Sequence, residues 1–254
     1  MESSHSEAAS GRAYEKVIRY VQEQIVMGNI RQGQRLPPER ELAELLQVGR
    51  NSVREALRTL SLMGFISSTQ GSGNYVSCNF EQSMTESMHM LFLLNQIDYL
   101  EVSELRQGIE TQAVLLAAQR IQPEALDRLR QIVSELGTGT DEQRNSAIDK
   151  ELHYIIASAS GNRLILQVLQ SLSYTIDKFI SNIRGKILLR SGSKDELQRV
   201  HEALVDALCA HDSEAAVRAM RAHFSLVDTT IAAEMDTDGR AGRMKPTFFT
   251  ESRL

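Results

Sequence analysis

Two hydrophobic rhythms divide this chain. Over residues 36–76 it reads LPPERELAELLQVGRNSVREALRTLSLMGFISSTQGSGNYV. Leu42, Leu45 and Leu46 give a short helix one apolar face, and the Val48-Gly49 turn follows. Val53, Ala56, Leu57 and Leu60 then recur at spacings of three and four, which predicts a second helix. Gly64 stops it. Ile66 to Val76 alternates loosely around Gln70-Gly71-Ser72-Gly73, which predicts a short hairpin.

The rest of the chain has a different period. From Glu81 to about Met235 no stretch predicts a strand. Asp98-Tyr-Leu-Glu101, Thr140-Asp-Glu-Gln143 and Ser193-Lys-Asp-Glu196 have capping-box spacing, and Gln122-Pro123 puts proline in a first helical turn. Gly137-Thr-Gly139, Gly161-Asn162 and Ser191-Gly192 read as breaks. Helices are expected over about 82–95, 98–119, 123–136, 141–160, 163–188, 194–210 and 212–234. Apolar positions recur at three and four, as in Leu105, Ile109, Gln112, Ala113 and Leu116, so the pattern predicts a helical bundle. No internal repeat is evident. Periodicity is lost over 236–254, which predicts a flexible tail.

The expected fold is therefore mainly α. A disordered tail (1–11) leads into a winged helix-turn-helix domain (12–78), then an all-α bundle of six to seven helices (79–235) and the C-terminal tail (236–254). A length of 254 residues suits two domains, and 42% hydrophobic residues can fill their cores. No run of about 18 apolar residues occurs, so no membrane span is expected. The N-terminus MESSHSEAASGRAYEK is polar and acidic, unlike a signal peptide, which points to the cytoplasm. Cys78 and Cys209 form no framework and read as free thiols in a reducing compartment.

Arg50, Arg54 and Arg58 recur at i, i+4 and i+8 on one face of the second short helix. Guanidiniums on one stripe can reach phosphates and guanine edges together. The alternative is an ordinary solvated face. The net charge of −5 at first argues against DNA, but its distribution resolves this. Residues 1–78 hold nine Lys/Arg against eight Asp/Glu (+1), and residues 79–254 hold nineteen against twenty-five (−6). An acidic second half repels DNA and leaves the arginine face as the docking surface.

The segment LPPERELAELLQVGRNSVREAL, with the later GF and QGSGNYV, resembles the winged helix-turn-helix of the GntR family of bacterial transcription regulators over about residues 12–78. The resemblance implies DNA contacts from Arg40, Arg50, Asn51, Ser52, Arg54, Gln70 and Gly71. Two positions depart from the family pattern. Pro38 stands where serine is usual, and removes a side-chain N-cap while still suiting a helix start. Gly49 stands where Ser or Thr is usual, and removes a hydroxyl that could bond a phosphate.

In the helical half, Asp149 and His153 sit at i, i+4 and share a face. His201 opens the sixth expected helix of that half, and His223 lies within the seventh. If they converge, one carboxylate and three imidazoles make a divalent-metal site suited to zinc, nickel, manganese or iron. If they do not, they are separate core histidines. ELRQGIETQAVLLAA, then the D-xxx-H pattern and IIASASGNRLIL, then VHEALVDAL and MRAHF, resemble the FCD effector domain of the FadR subgroup over about residues 80–235. The resemblance implies metal ligation by Asp149, His153, His201 and His223, with zinc placed first. It also implies that the metal holds the carboxylate of a small organic acid. Arg106, in the ELR segment, is then a second carboxylate clamp, since a guanidinium matches a carboxylate bidentately. Its alternative is a surface ion pair with Glu110 at i+4. His5, His89 and His211 lack this context.

The resulting expectation is a cytoplasmic, homodimeric, ligand-responsive regulator, repressor or activator, on a pseudo-palindromic double-stranded DNA operator, with a small acid as effector. Two alternatives stand beside it. One is a FadR-type regulator with an acyl or other effector and a structural metal. The other is a metal-dependent hydrolase or lyase, since such a centre can also activate water. The absence of an HExxH motif, a nucleophile elbow or a phosphate loop speaks against an enzyme.

Overall fold

The computed structural model describes residues 2–69, 72–77, 80–139, 141–189 and 193–237. The chain divides into two compact units, Met1–Glu86 and Ser87–Leu254.

In the first unit, α1 (Glu2–Val26) packs Val17 and Val21 onto α2 (Glu39–Leu46) and α3 (Arg50–Leu62). The segment expected as a disordered tail is instead helical from Glu2, continuous with the packed part of α1. Leu42, Ala43 and Leu46 of α2 meet Val53, Ala56, Leu57 and Leu60 of α3 in the core. Leu45, expected on the buried face, is exposed, and Ala43 takes its place. An eight-residue helix turns only a narrow face inward, and the small Ala43 lets α3 approach.

The turn between these helices is set by Gln47, which adopts a left-handed conformation (φ 51°) so that Val48 N–H reaches Ala43 O. Neither α2 nor α3 has a side-chain N-cap; Pro38 and Gly49 occupy those positions. Gly64 (φ 76°) ends α3 in a Schellman turn: its N–H reaches Ser61 O, and Phe65 N–H reaches Leu60 O. Strands β1 (Ile66–Thr69) and β2 (Gly73–Val76) then pair antiparallel, with Ile66 opposite Val76 and Thr69 opposite Gly73.

The second unit is built from α4 (Phe80–Asn95), α5 (Tyr99–Arg120), α6 (Pro123–Thr138), α7 (Glu142–Ala159), α8 (Arg163–Leu189), α9 (Ser193–Cys209) and α10 (Ser213–Thr237). Asp98 and Glu101 complete the expected capping box at α5, and Pro123 opens α6 behind Gln122. At α7 the cap is Asp141 rather than Thr140; its carboxylate accepts from the N–H groups of Gln143 and Arg144. Thr140 and the Ser191-Gly192 break lie outside the described residues, as do Cys78 and the tail from 238 onward.

The inward face of α5 is also rotated from expectation. Leu105 and Gln112 are exposed, and Val102, Glu110, Ala113, Val114, Ala117 and Ala118 are buried. Small alanines let α10 and α7 come close to α5. The core they share with α6 and α9 includes Leu129, Ile132, Leu152, Ile156, Leu204, Leu208, Met220 and Phe224. A polar cluster lies among these packed helices.

Candidate DNA-binding face and metal centre

On the first unit, Arg50, Asn51, Arg54 and Arg58 of α3 are exposed, whereas Ser52 is buried. Arg40 and Arg54 keep 73% and 68% of their side-chain surface exposed. Their partners are Glu44 at 3.0 Å and Glu39 at 3.2 Å. Exposed pairs of this kind are worth less than about 1 kcal/mol, so both guanidiniums can exchange a carboxylate for a phosphate. Gln70 and Gly71, expected at the hairpin tip, lie outside the described residues.

On the second unit, His153 (α7), His201 (α9) and His223 (α10) come together. Each offers one ring nitrogen within 4.8 Å of the others, and all three side chains are buried. Their rings are neighbours, with centroids 4.9 Å apart for His153–His223 and 5.2 Å for His201–His223. His201 lies in the middle of α9, not at its opening. Asp149, one turn before His153, places Oδ1 3.1 Å from His201 Nε2. It is not one of the tight group of three and reaches it through His201.

The donor set fits a divalent ion. His153 Nε2, His201 Nε2 and His223 Nδ1 are buried, and none has a hydrogen-bond partner. A buried polar atom without a partner costs about 1–3 kcal/mol, so three in one place call for a common ligand. Asp149 Oδ1 and His201 Nε2 are close but not aligned as a hydrogen bond. A shared cation would satisfy both atoms at once, since imidazole nitrogen and carboxylate oxygen are both common ligands of divalent ions.

Electrostatics favour the ligating form of His223 and Asp149. Burial, reinforced by the neighbouring His153 and His201, holds the His223 pKa well below that of a free imidazole, so its neutral, ligating form is favoured. Burial would push the Asp149 carboxyl up, but His201 and Arg184 hold it well below the usual range. His153 is opposed by burial yet raised by Glu110 beside it.

Two flanking residues were not legible as site residues. Glu110 entered the sequence reading only as a partner for Arg106, and Arg184 did not enter it. Glu110 is buried on α5; its Oε1 accepts from Arg106 Nε at 2.9 Å, and its Oε2 contacts His153 Nδ1. Burial would raise the Glu110 pKa, but Arg106 and His153 bring it down to about 2. Arg106 does pair with Glu110, as the alternative reading had it, but the pair is internal: the Arg106 side chain is only 12% exposed and its guanidinium lies 5.6 Å from the Phe224 ring centroid. Arg184 donates from Nη1 to Asp149 Oδ1 at 3.0 Å and lies 2.9 Å from Glu142 Oε1. The only sequence signal for Glu110 was its i+4 spacing from Arg106; Arg184 had none. His211 lies apart: in a left-handed turn after α9, its Nδ1–H donates to Ala118 O at 2.7 Å.

A basic helix beside a small β-hairpin, joined in one chain to a helical bundle with a buried polar centre, defines a DNA-binding transcription regulator. The family comparisons agree. The model for bacterial regulatory proteins of the gntR family matches residues 13–76, and that for the FCD domain matches residues 101–226. The chain is 31% identical over 221 residues to the "Putative L-lactate dehydrogenase operon regulatory protein" of Escherichia coli K12, covering 85% of each chain. It is 30% identical over 210 residues to the HTH-type transcriptional regulator LutR of Bacillus subtilis 168, covering 81% of this chain and 94% of that one. It is also 30% identical to the Uxu operon transcriptional regulator of E. coli K12, covering 87% of this chain and 88% of that one. A solved Streptococcus agalactiae GntR structure superposes with a TM-score of 0.62 at 24% identity, over 85% of this chain and 99% of that one, and so shares the fold. The chain belongs to the gntR family of bacterial transcription regulators, in its FadR-like, FCD-containing subgroup. It is a regulator, not an enzyme, and among its described residues no helix is long and apolar enough to cross a membrane.

Proposed function

We propose that this regulator senses a small organic acid at a divalent-metal centre formed by Asp149, His153, His201 and His223. Three buried imidazole nitrogens that face one another without partners carry this reading. Zinc suits such N/O ligands, as do nickel, manganese and iron. Bound there, the ion supplies a Lewis-acid contact for a carboxylate oxygen. Arg106 lies next to the imidazoles through Glu110 and can turn its fork to the acid's second polar group. The name of the E. coli relative links it to a lactate dehydrogenase operon, which makes short 2-hydroxy acids the first ligands to test.

Operator contacts are assigned to Arg40, Arg50, Asn51, Arg54 and the hairpin tip at Gln70 and Gly71. Buried Ser52 serves the α3 packing first. One winged helix reads only a few base pairs, so a homodimer on a pseudo-palindromic operator is proposed, acting in the cytoplasm. Met90, Leu91, Leu94, Leu105 and Leu164, exposed on the helical unit, supply apolar surface for that pairing. Acid binding then changes operator affinity through about 1–3 kcal/mol of coupling.

Calorimetry with a panel of short hydroxy and oxo acids tests this on metal-loaded and metal-stripped protein. The expected result is acid binding that requires the metal and is weakened by Arg106→Ala, with metal content unchanged. Equal binding by stripped protein would make the metal structural and overturn the sensing mechanism.

A further inference from the structure

We propose that Glu110 is a positioning residue that ties the imidazole cluster to the Arg106 clamp. One oxygen fixes which nitrogen of His153 faces the cluster, and the other holds the guanidinium. The inference rests on the metal reading above and adds to it a residue and a coupling that the ligand set does not contain.

The chemistry follows from what a carboxylate can do. Glu110 pairs through Oε1 with the permanently charged Arg106 guanidinium and, as a carboxylate, only accepts, so the His153 Nδ1 that touches its Oε2 must carry a proton and donate. The lone pair of neutral His153 is then on Nε2, the atom that is buried without a partner in the cluster. Glu110 therefore selects the tautomer in which His153 ligates through Nε2 and raises the basicity of that ring. Its Oε1 is taken by Arg106 through Nε at 2.9 Å and Nη2 at 2.8 Å.

An ordinary i, i+4 surface pair needs no burial and no third partner. Here the Glu110 side chain is 2% exposed, and its two oxygens are divided between two helices. Isolating a carboxylate there would be costly, so the pair of donors is what keeps it in place. The division also means that any change in the grip of Arg106 alters the charge His153 feels. Phe224, beside the ligand His223, carries a second contact from Arg106.

Glutamine cannot replace this group, because it offers one acceptor and one donor where two acceptors are used. If its oxygen serves Arg106, its amide faces Nδ1, makes that nitrogen an acceptor and moves the ring proton to Nε2. If its oxygen serves His153, its amide opposes the guanidinium.

The test is zinc titration of the full-length protein against a competing chelator dye, on wild type, Glu110→Gln and Arg106→Gln, with urea unfolding of each metal-free form. Glu110→Gln is expected to lose about 10–100-fold in zinc affinity, the usual cost of removing a partner behind a ligating histidine. Arg106→Gln is expected to bind zinc more tightly than wild type, since it removes a positive charge beside the cluster while its amide can still donate to Glu110. If Glu110→Gln loses stability but keeps wild-type zinc affinity, Glu110 is a structural ion-pair partner and the proposal is overturned. If Glu110→Gln does not fold, Arg106→Gln decides: unchanged or weakened zinc binding there overturns the proposal, and tighter binding supports it. Failure of wild type to take up zinc, nickel or manganese overturns the metal reading itself, an outcome separable from loss in the variant alone.

Discussion

Arg184 donates a hydrogen bond to Asp149 Oδ1 at 3.0 Å, with both side chains almost wholly buried. The same oxygen lies 3.1 Å from His201 Nε2. Arg184 thus supplies positive charge to the carboxylate end of the cluster, as Arg106 does through Glu110 at the other end.

Arg184→Met is therefore expected to destabilise the metal-free protein by about 3–5 kcal/mol, because it strands a buried carboxylate. Added zinc should restore more stability to the variant than it adds to wild type, by giving Asp149 a cation again. Urea unfolding with and without zinc measures both effects. Equal zinc stabilisation of the two proteins would remove Asp149 from the ligand set.

The operator face yields a contrast between two arginines. Arg54→Ala should cost about 1–3 kcal/mol on the specific site and relax its base preference, as loss of a guanine contact does. Arg40→Ala should weaken binding evenly across sequences and lower the salt slope by about 1, as loss of a phosphate contact does. Each residue has one exposed carboxylate partner, so stability should change by less than about 1 kcal/mol. Titrations at several salt concentrations separate the two effects, and wild-type affinity in both variants would rule out this docking face.

The Glu110–His153 pair predicts opposite pH responses for stripped and loaded protein. Glu110 is lowered from 4.5 to about 2, so its contribution is present above about pH 4.5 and is lost as pH falls toward 2. His153 is raised above 6.5, so its contribution is present below that value and is lost as pH rises through its folded pKa. Metal-free protein should gain most from the pair between about pH 4.5 and 6.5. Metal needs unprotonated imidazoles, so zinc stabilisation should instead grow as pH rises. Thermal melts across pH 4–9, with and without zinc, should show the two trends diverge.

Chelator treatment should abolish the acid response and leave operator affinity nearly unchanged, because all four proposed ligands lie beyond residues 13–76. Electrophoretic mobility shifts on stripped and reloaded protein give the answer directly. Loss of basal operator binding on stripping would mean that the centre maintains the DNA-binding form rather than sensing the acid.

Gln47 holds a left-handed conformation at the helix-turn-helix corner. Gln47→Gly removes its steric cost of about 1–2 kcal/mol but adds freedom to the unfolded chain. A net gain of about 0.5–1 kcal/mol is expected by urea unfolding. A loss would show that the glutamine side chain contributes to the turn.

The sequence by itself determined most of the elements from residue 36 onward, though not α1, and the side chains on which the proposed chemistry rests. Spacings of three and four, the Asp98 and Pro123 helix starts and the Gly64 stop are local signals, because caps and turns are satisfied within a few residues of chain. The three histidines were equally legible, since imidazoles at core-facing helix positions stand out in any sequence. Which way each helix faces was decided by packing. Leu45 and Leu105 fit the apolar period yet are exposed, because Ala43, Ala113 and Ala117 let neighbouring helices come nearer on an adjacent face. The partners of the centre were likewise a tertiary matter. Glu110 lies 43 residues from His153, and Arg184 lies 35 residues from Asp149. A buried charge is tolerated only where a distant helix brings its counter-charge, and no local pattern in the chain records that meeting.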